Sequence, residues 1–198
     1  MRRVVLVLAA MALAMLLASG VALAVNKIGT NGPDRLRGTN GEDNLLGKGG
    51  NDILIGLGGS DNLLGGEGKD WLFGGGEAIG GDNNLVGGPG NDGIIAGQGS
   101  DNALGERGND YLVDGSLRES SHDKLSGGAG NDVIDVINGP AFEDIVVCGG
   151  GFDRVGADPK DVVAPDCEKV TIIRNAAQDA AFFESIPQSF FGGLAPLE

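Results

Sequence analysis

The chain has 198 residues and a formal net charge of −14, with 28 acidic side chains against 14 Lys and Arg and a single His. Such an acidic chain excludes nonspecific nucleic-acid binding, which requires basic side chains along the phosphate backbone. Glycine provides 38 of the residues but shows no three-residue period, and this excludes a collagen-like triple helix.

The first 24 residues have the features of a targeting segment. Two arginines precede an apolar run over residues 4–17, and residues 22–24 (Ala-Leu-Ala) fit a small-x-small cleavage site. The alternative is a membrane anchor, but the apolar run is short for a bilayer span. We therefore predict that residues 1–24 are a secretory signal peptide and that the mature, extracellular chain starts near Val25, with no later membrane span.

A nine-residue pattern then recurs in thirteen units between Gly29 and Gly156. Residues 47–55, 56–64 and 65–73 (GKGGNDILI, GLGGSDNLL and GGEGKDWLF) are variants of G-G-x-G-x-D followed by x-apolar-x. Six residues of each unit are predicted to turn and present oxygen atoms, and three to form a short strand whose middle residue points inward. Three longer intervals predict extra loops near residues 75–79, 116–120 and 136–138.

The sixth position of the units carries a carboxylate at nearly every repeat, which indicates a cation bound at the turns. Calcium suits such turns because it accepts six to eight carboxylate and carbonyl oxygens in a flexible geometry. Zinc would lack its usual His and Cys ligands. One unit has Asn83 at the sixth position and Asp82 one place earlier, so we expect a weakened or rearranged site there. The predicted metal ligands are Asp34, Asp43, Asp52, Asp61, Asp70, Asp82, Asn83, Asp92, Asp101, Asp110, Asp123, Asp132, Asp144 and Asp153.

The units resemble the RTX (haemolysin-type) calcium-binding nonapeptide repeats. The resemblance implies an all-β fold, a parallel β-roll (β-solenoid) over residues 25–156 in which two units complete one turn. It also implies multiple Ca²⁺ ions, each held between one loop and the loop two units later, so that Asp34 would face the loop of Asp52. Many family members carry a C-terminal secretion signal or an attached toxin, protease or lipase domain, whereas here we expect an N-terminal signal and no such domain.

Cys148 and Cys167 are the only cysteines. In an exported chain an even number predicts a disulfide, and the alternative is two free buried thiols. Residues 147–170 resemble the end-of-roll segment of secreted repeat proteins. This resemblance implies that Cys167 ties a closing segment, residues 157–174, onto the last regular unit.

The outward positions predict two different faces. Alternate units place Asn44, Asn62, Asn84 and Asn102 in one row, which predicts a ladder of side-chain hydrogen bonds. The other units place apolar side chains outward, and such a patch is either a contact surface or covered by the C-terminus. Residues 175–198 are predicted to form a short helical tail rich in Phe. The outward apolar side chains include Ile53, Trp71, Phe73, Ile95, Tyr111 and Val113.

The sequence favours binding and structure over catalysis. His122 lies beside Ser121 and Asp123, but neighbours along one loop differ from a catalytic triad assembled on a rigid scaffold. We therefore predict no enzyme activity and a secreted calcium-binding module with a structural or surface-binding role, whose partner is a cell surface or a matrix. The alternatives are a fragment or relative of a repeat-containing secreted hydrolase or toxin, and an adhesin-like solenoid.

Overall fold

The computed structural model describes residues 23–76, 80–115, 121–138, 142–174, 181, 182 and 184. Sixteen short strands wind into a solenoid, each turn of which contributes one strand to each of two sheets. The strands are β1 Asn26–Ile28, β2 Arg35–Arg37, β3 Asn44–Gly49, β4 Ile53–Leu57, β5 Asn62–Glu67, β6 Trp71–Gly75, β7 Asn84–Pro89, β8 Gly93–Ile95, β9 Asn102–Arg107, β10 Tyr111–Val113, β11 Lys124–Ala129, β12 Val133–Asp135, β13 Ile145–Gly150, β14 Arg154–Ala157, β15 Val162–Val163 and β16 Lys169–Ile172.

The odd-numbered strands form sheet A and the even-numbered strands form sheet B, each sheet being eight-stranded and parallel throughout. Equivalent residues of consecutive turns lie side by side, as Leu45 does with Leu63 and Leu63 with Leu85. The prediction of an all-β parallel β-roll with two repeats per turn is therefore confirmed. Within the described residues, no helix has the length and apolar character needed to cross a membrane.

The core is two facing columns of side chains from the eighth position of the repeats. Because successive strand residues point to opposite faces, a three-residue strand sends only its middle side chain inward. Each such side chain is almost fully buried and packs on those of the turns before and after it. The columns contain Leu45, Leu54, Leu63, Leu72, Leu85, Ile94, Ala103, Leu112, Leu125, Ile134, Val146 and Val155.

The loops lie along two edges of the solenoid. We call the loops that lead from sheet A to sheet B the regular edge, and those that lead from sheet B to sheet A the interrupted edge. All three insertions fall on the interrupted edge, because they lie between β6 and β7, between β10 and β11 and between β12 and β13, where the chain passes from sheet B to sheet A. The regular edge keeps six-residue loops throughout, and strands such as β5 extend into it with continued pairing.

The outer faces agree with the predicted rows. On sheet A the amide of Asn84 donates to Asn62 at 2.8 Å and that of Asn102 to Asn84 at 2.9 Å, which confirms the asparagine ladder. On sheet B the indole of Trp71 lies over Gly93 of the next turn, and a Cβ on Gly93 would collide with its ring. Trp71 is therefore 8% exposed although it belongs to the outer face.

The C-terminal end closes the solenoid covalently and with apolar contacts. Cys148 and Cys167 form a disulfide with a Cα–Cα distance of 5.2 Å, as predicted. Phe182 is 4% exposed and clusters with Tyr111, Val133 and Ile173, so part of the tail covers this end of sheet B. Most of the predicted tail, residues 175–180, 183 and 185–198, lies outside the described residues, and its described residues 181, 182 and 184 are helical.

Candidate metal centre

The sixth-position carboxylates form a ladder along each edge. The backbone N–H of Asp34 donates to Oδ1 of Asp52, and that of Asp52 donates to Oδ1 of Asp70, both at 2.8 Å. The same bond recurs on the interrupted edge from Asp43 to Asp61. This pattern continues to Asp144 and Asp153 with lengths of 2.6–2.9 Å, so each carboxylate lies between its own loop and the loop one turn earlier.

The second oxygen of most of these carboxylates is buried without a hydrogen-bond donor. A buried acceptor without a partner forfeits its hydration and costs roughly 1–3 kcal/mol, and more when it is charged. Native proteins therefore satisfy nearly all such atoms, and a regular series of exceptions is typical of sites that bind a cation. The Oδ2 atoms concerned include those of Asp52, Asp61, Asp70, Asp92, Asp110, Asp123, Asp132 and Asp153.

In several loops this oxygen faces a second acceptor. A Cβ placed on Gly65, the first residue of its loop, would lie 2.5 Å from Oδ2 of Asp70 and 2.7 Å from the carbonyl oxygen of Gly87, one turn later. Gly47 is placed in the same way against Asp52 and the carbonyl oxygen of Gly65. A carboxylate oxygen and a carbonyl oxygen thus approach one point with no hydrogen between them, which favours a cation.

Asn83 provides an internal contrast within the same ladder. Its Oδ1 accepts from the backbone N–H of Asp61 at 2.9 Å, as the aspartates do. Its Nδ2 stands where the others have Oδ2, and it donates to the carbonyl oxygen of Ala96 at 3.5 Å. At this one loop an N–H group satisfies the carbonyl, so the arrangement needs no cation. This loop therefore differs from the others in its hydrogen bonding, and the weakened or rearranged metal site at Asn83 stays a prediction.

The electrostatics of the ladder agree with the orphaned oxygens. Burial raises the pKa of Asp92 to about 8 and that of Asp110 to about 7, partly offset by the backbone N–H that each accepts, and neighbouring carboxylates raise both further. Burial likewise raises the pKa of Asp61, Asp70 and Asp132 to about 6. Without a cation these groups hold protons at a higher pH than exposed aspartates do.

The first two loops differ from the rest. The backbone N–H of Thr30 donates to Oδ2 of Asp34, and that of Thr39 donates to Oδ2 of Asp43. The loops that follow turn their second residue into the left-handed region, as at Lys48 with φ 82° and Leu57 with φ 92°. Asp34 and Asp43 therefore satisfy their second oxygen within their own loops, a difference that the repeat pattern alone does not reveal.

The interrupted edge contains a carboxylate pair that sequence reasoning missed. Asp114 occupies the first position of its loop, where most loops have glycine, and it is 1% exposed. Burial, and then the neighbouring carboxyl of Asp114, raise the pKa of Asp123. Asn138 donates to Oδ2 of Asp144 at 2.7 Å in the adjacent turn. The sequence feature that could have indicated this pair is an aspartate at position 114, where most loops have glycine.

Two further acidic residues, also missed, end the ladders. Oδ1 of Asp161 accepts from the backbone N–H of Asp144 at 3.1 Å on the interrupted edge. Glu168 accepts from that of Asp153 at 2.9 Å on the regular edge. They lie 17 and 15 residues after the groups they bind, so they fall outside the nine-residue frame.

The predicted ligands thus separate into inward and outward groups. Asp82 is exposed and accepts from the backbone N–H of Ser100 at 2.8 Å, so it lies outside the ladder. The other predicted ligands lie in the two ladders, with Asp34 at the partly exposed N-terminal end. His122 is exposed while Asp123 is buried, and Ser120 lies outside the described residues. The assignment of individual residues as metal ligands remains a prediction.

The geometry suits a hard cation bound by mixed ligands. Among the described residues, no group of three Asp, Glu, His or Cys side chains forms a cage for a metal. Several inner loops, such as those of Asp52, Asp61 and Asp70, instead combine a carboxylate oxygen with a backbone carbonyl, and calcium accepts both in a flexible geometry. Zinc usually takes His nitrogen and Cys sulfur as ligands, whereas here His122 is exposed and Cys148 is in a disulfide.

Comparison with known proteins gives an independent result. The family described as "RTX calcium-binding nonapeptide repeat" matches the sequence in four stretches, residues 28–63, 46–78, 77–112 and 119–139. Together these stretches extend over more than half of the chain and include the predicted metal ligands from Asp34 to Asp132. No curated protein matches the chain.

Proposed function

The chain belongs to the family of RTX calcium-binding nonapeptide repeats, and from that premise we propose that it is an exported module whose fold is stabilised by calcium and whose outer faces contact a cell surface or a matrix. Its calcium ligands would be the inward carboxylates of the two ladders together with the first-position carbonyls of the loops. The bound ions would supply positive charge between oxygens that otherwise repel each other.

One observation carries the proposal, namely the series of buried Oδ2 atoms without donors. At Asn83 an amide nitrogen satisfies the carbonyl that other loops leave to a cation. The exchange of Asp for Asn removes the charge and the unsatisfied oxygen together.

Export is supported by the disulfide and by the first 24 residues. A disulfide such as Cys148–Cys167 forms and persists in oxidising compartments. We propose four segments, a signal peptide at 1–24, the β-roll at 25–156, the disulfide-tied closing segment at 157–174 and the tail at 175–198. The proposed contact with a surface or matrix draws on sheet A, where the asparagine ladder runs beside half-buried aliphatic side chains such as Leu46 and Leu64.

Calorimetric titration of the chelator-treated protein with calcium, followed in parallel by circular dichroism, tests the calcium function. We expect several ions per chain and a gain of β structure, with far weaker binding of magnesium because its octahedral geometry is stricter. Extracellular modules typically bind calcium at about 10⁻⁴–10⁻³ M. An absence of heat and of any spectral change up to 10 times that range would refute the proposal.

A further inference from the structure

The β structure of the solenoid begins at the junction that the sequence predicts to be cleaved. Asn26 of β1 pairs with Asn44 of β3, so Val25 lies in register with Asp43. The carbonyl of Val25 accepts from the backbone N–H of Asn44 at 2.9 Å. Leu23, two residues earlier, is 71% exposed.

The nitrogen of Val25 occupies the first donor position of the interrupted-edge ladder. It lies 2.6 Å from Oδ1 of Asp43. In the later turns of this ladder the same place is filled by the backbone N–H of a sixth-position residue, as Asp43 donates to Asp61. Val25 lies 18 residues before Asp43, one full turn, so it stands where a sixth-position residue would be.

Asp43 is 1% exposed, and its other oxygen accepts from the backbone N–H of Thr39. The hydroxyl of Thr39 donates to the carbonyl oxygen of Leu23 at 2.7 Å, a contact that cleavage after Ala24 would remove. A neutral peptide N–H at Val25 completes the hydrogen bonding but leaves the carboxylate charge without a counter-charge among these contacts. An α-ammonium group at the same place would donate the hydrogen bond and also provide the counter-charge. A hydrogen bond between ionised partners is roughly twice as strong as one between neutral groups.

We propose that hydrolysis of the Ala24–Val25 peptide bond creates a functional N-terminus, whose α-ammonium group binds Asp43 and caps the first turn of the solenoid. A signal-type peptidase would break the amide C–N bond with one water molecule. The hydroxyl of the water passes to the carbonyl carbon of Ala24 and leaves a carboxylate, and the protons convert the nitrogen of Val25 to an ammonium group. No oxidant or cofactor takes part.

The inference rests on the proposed export but not on calcium binding, and a two-step experiment tests it. First, the full chain is exported from a bacterial host and the N-terminus of the exported protein is sequenced. We expect Val25 as the first residue. Any other N-terminus, or retention of residues 1–24, overturns the proposal and leaves the calcium titration unaffected.

Second, one serine is inserted between Ala24 and Val25, so that cleavage after Ala24 places the ammonium group one residue away. At saturating calcium we expect the melting temperature to fall by about 2–4 °C. The fall should vanish in Asp43→Asn and persist in Asp61→Asn, whose partner is the backbone N–H of Asp43. Asn83 shows that asparagine is accommodated in the ladder. An unchanged melting temperature, or an equal fall in Asp43→Asn, overturns the proposal.

Discussion

The regular and interrupted edges are built from the same repeat, yet they differ in the residue at the first loop position and in loop length. Loops of the regular edge begin with glycine from Gly29 to Gly127, and only the last begins with Cys148. First positions on the interrupted edge change to Ala96, Asp114 and Val136 in the C-terminal half. All three insertions share that edge.

This difference shows which feature holds the solenoid in register. Sheet A pairing extends into the regular edge, where Lys48 pairs with Gly66 and Gly128 with Gly149. An extra residue there would break this pairing in both neighbouring turns. Pairing on the interrupted edge ends sooner, since β4 and β6 stop after five residues and β8 and β10 after three, whereas strands of sheet A such as β5 and β7 run for six. An insertion on that edge therefore disturbs less hydrogen bonding. The regular edge therefore carries the more continuous series of candidate cation sites.

The largest expected effect is on the pH dependence of stability, because the carboxylates of both edges have raised pKa values. The pKa of Asp92 is about 8 and that of Asp61 about 6, against about 4 in the unfolded chain. Between about pH 4 and pH 8 the folded metal-free protein therefore binds more protons than the unfolded chain. Its stability should therefore be fullest below pH 4 and fall as the pH rises to 8. In chelator, circular dichroism should show most β structure at pH 4–5 and its loss at pH 8. A β signal that grows with rising pH would contradict this.

The second prediction concerns the end of the regular edge, where the disulfide joins the last loop to the closing segment. Reduction and alkylation of Cys148 and Cys167 should cost about 3 kcal/mol by the loop-entropy relation for a 19-residue separation. Hydrogen exchange should then increase first in β14 and β16, since each solenoid turn is supported only by its neighbours. Equal acceleration in β3 and β5 would show that the whole fold depends on the bridge.

The third prediction compares the first loop position on the two edges. Gly65→Ala should lower the free energy of unfolding by about 1–3 kcal/mol, because the new Cβ would displace Asp70 or the carbonyl of Gly87. Ala96→Gly, at the same position on the interrupted edge, should cost less than about 1 kcal/mol. Urea unfolding at saturating calcium measures both. Equal costs would indicate that the edges are equally strict.

The smallest expected effect is a change of one bound ion. Asn83→Asp should add one ion to the calcium stoichiometry by replacing an N–H donor with a carboxylate oxygen at the carbonyl of Ala96. Asp92→Asn on the regular edge should remove one ion, and the double variant should return to the original count. Native mass spectrometry counts the ions directly. A stoichiometry unaffected by either change would mean that the sixth position does not bind the metal.

Much of this architecture follows from the sequence because the period fixes it. A nine-residue repeat with Leu54, Leu63 and Leu72 at one phase determines strand, core and turn together. The exceptions are contacts that depend on the ends of the array. Thr30 and Thr39 bind their own aspartates in the first two loops, and Glu168 takes the place of an aspartate after the last regular loop.

The burial of Trp71 also depended on a distant residue. Its place on the outer face was readable from the phase of the repeat, but its low exposure depends on Gly93, one turn later and across the first insertion. Likewise, Phe182 packs where Gly156 leaves space on sheet B. Both contacts depend on a glycine elsewhere in the solenoid, where the absence of a side chain leaves space for the ring. A single repeat does not reveal such a contact.

The packing of Trp71 on Gly93 provides an intrinsic fluorescence probe of the fold. Trp71 is the sole tryptophan of the chain, and its ring joins two turns that an insertion separates along the sequence. It also stacks with Phe73 at a centroid distance of 6.2 Å. The emission spectrum of this indole should shift when Gly93 of the next turn covers its ring, in addition to any shift caused by Phe73 and by Ile53 of the preceding turn. Fluorescence therefore reports the contact between the turns before and after the first insertion together with the packing of the turn of Trp71 itself.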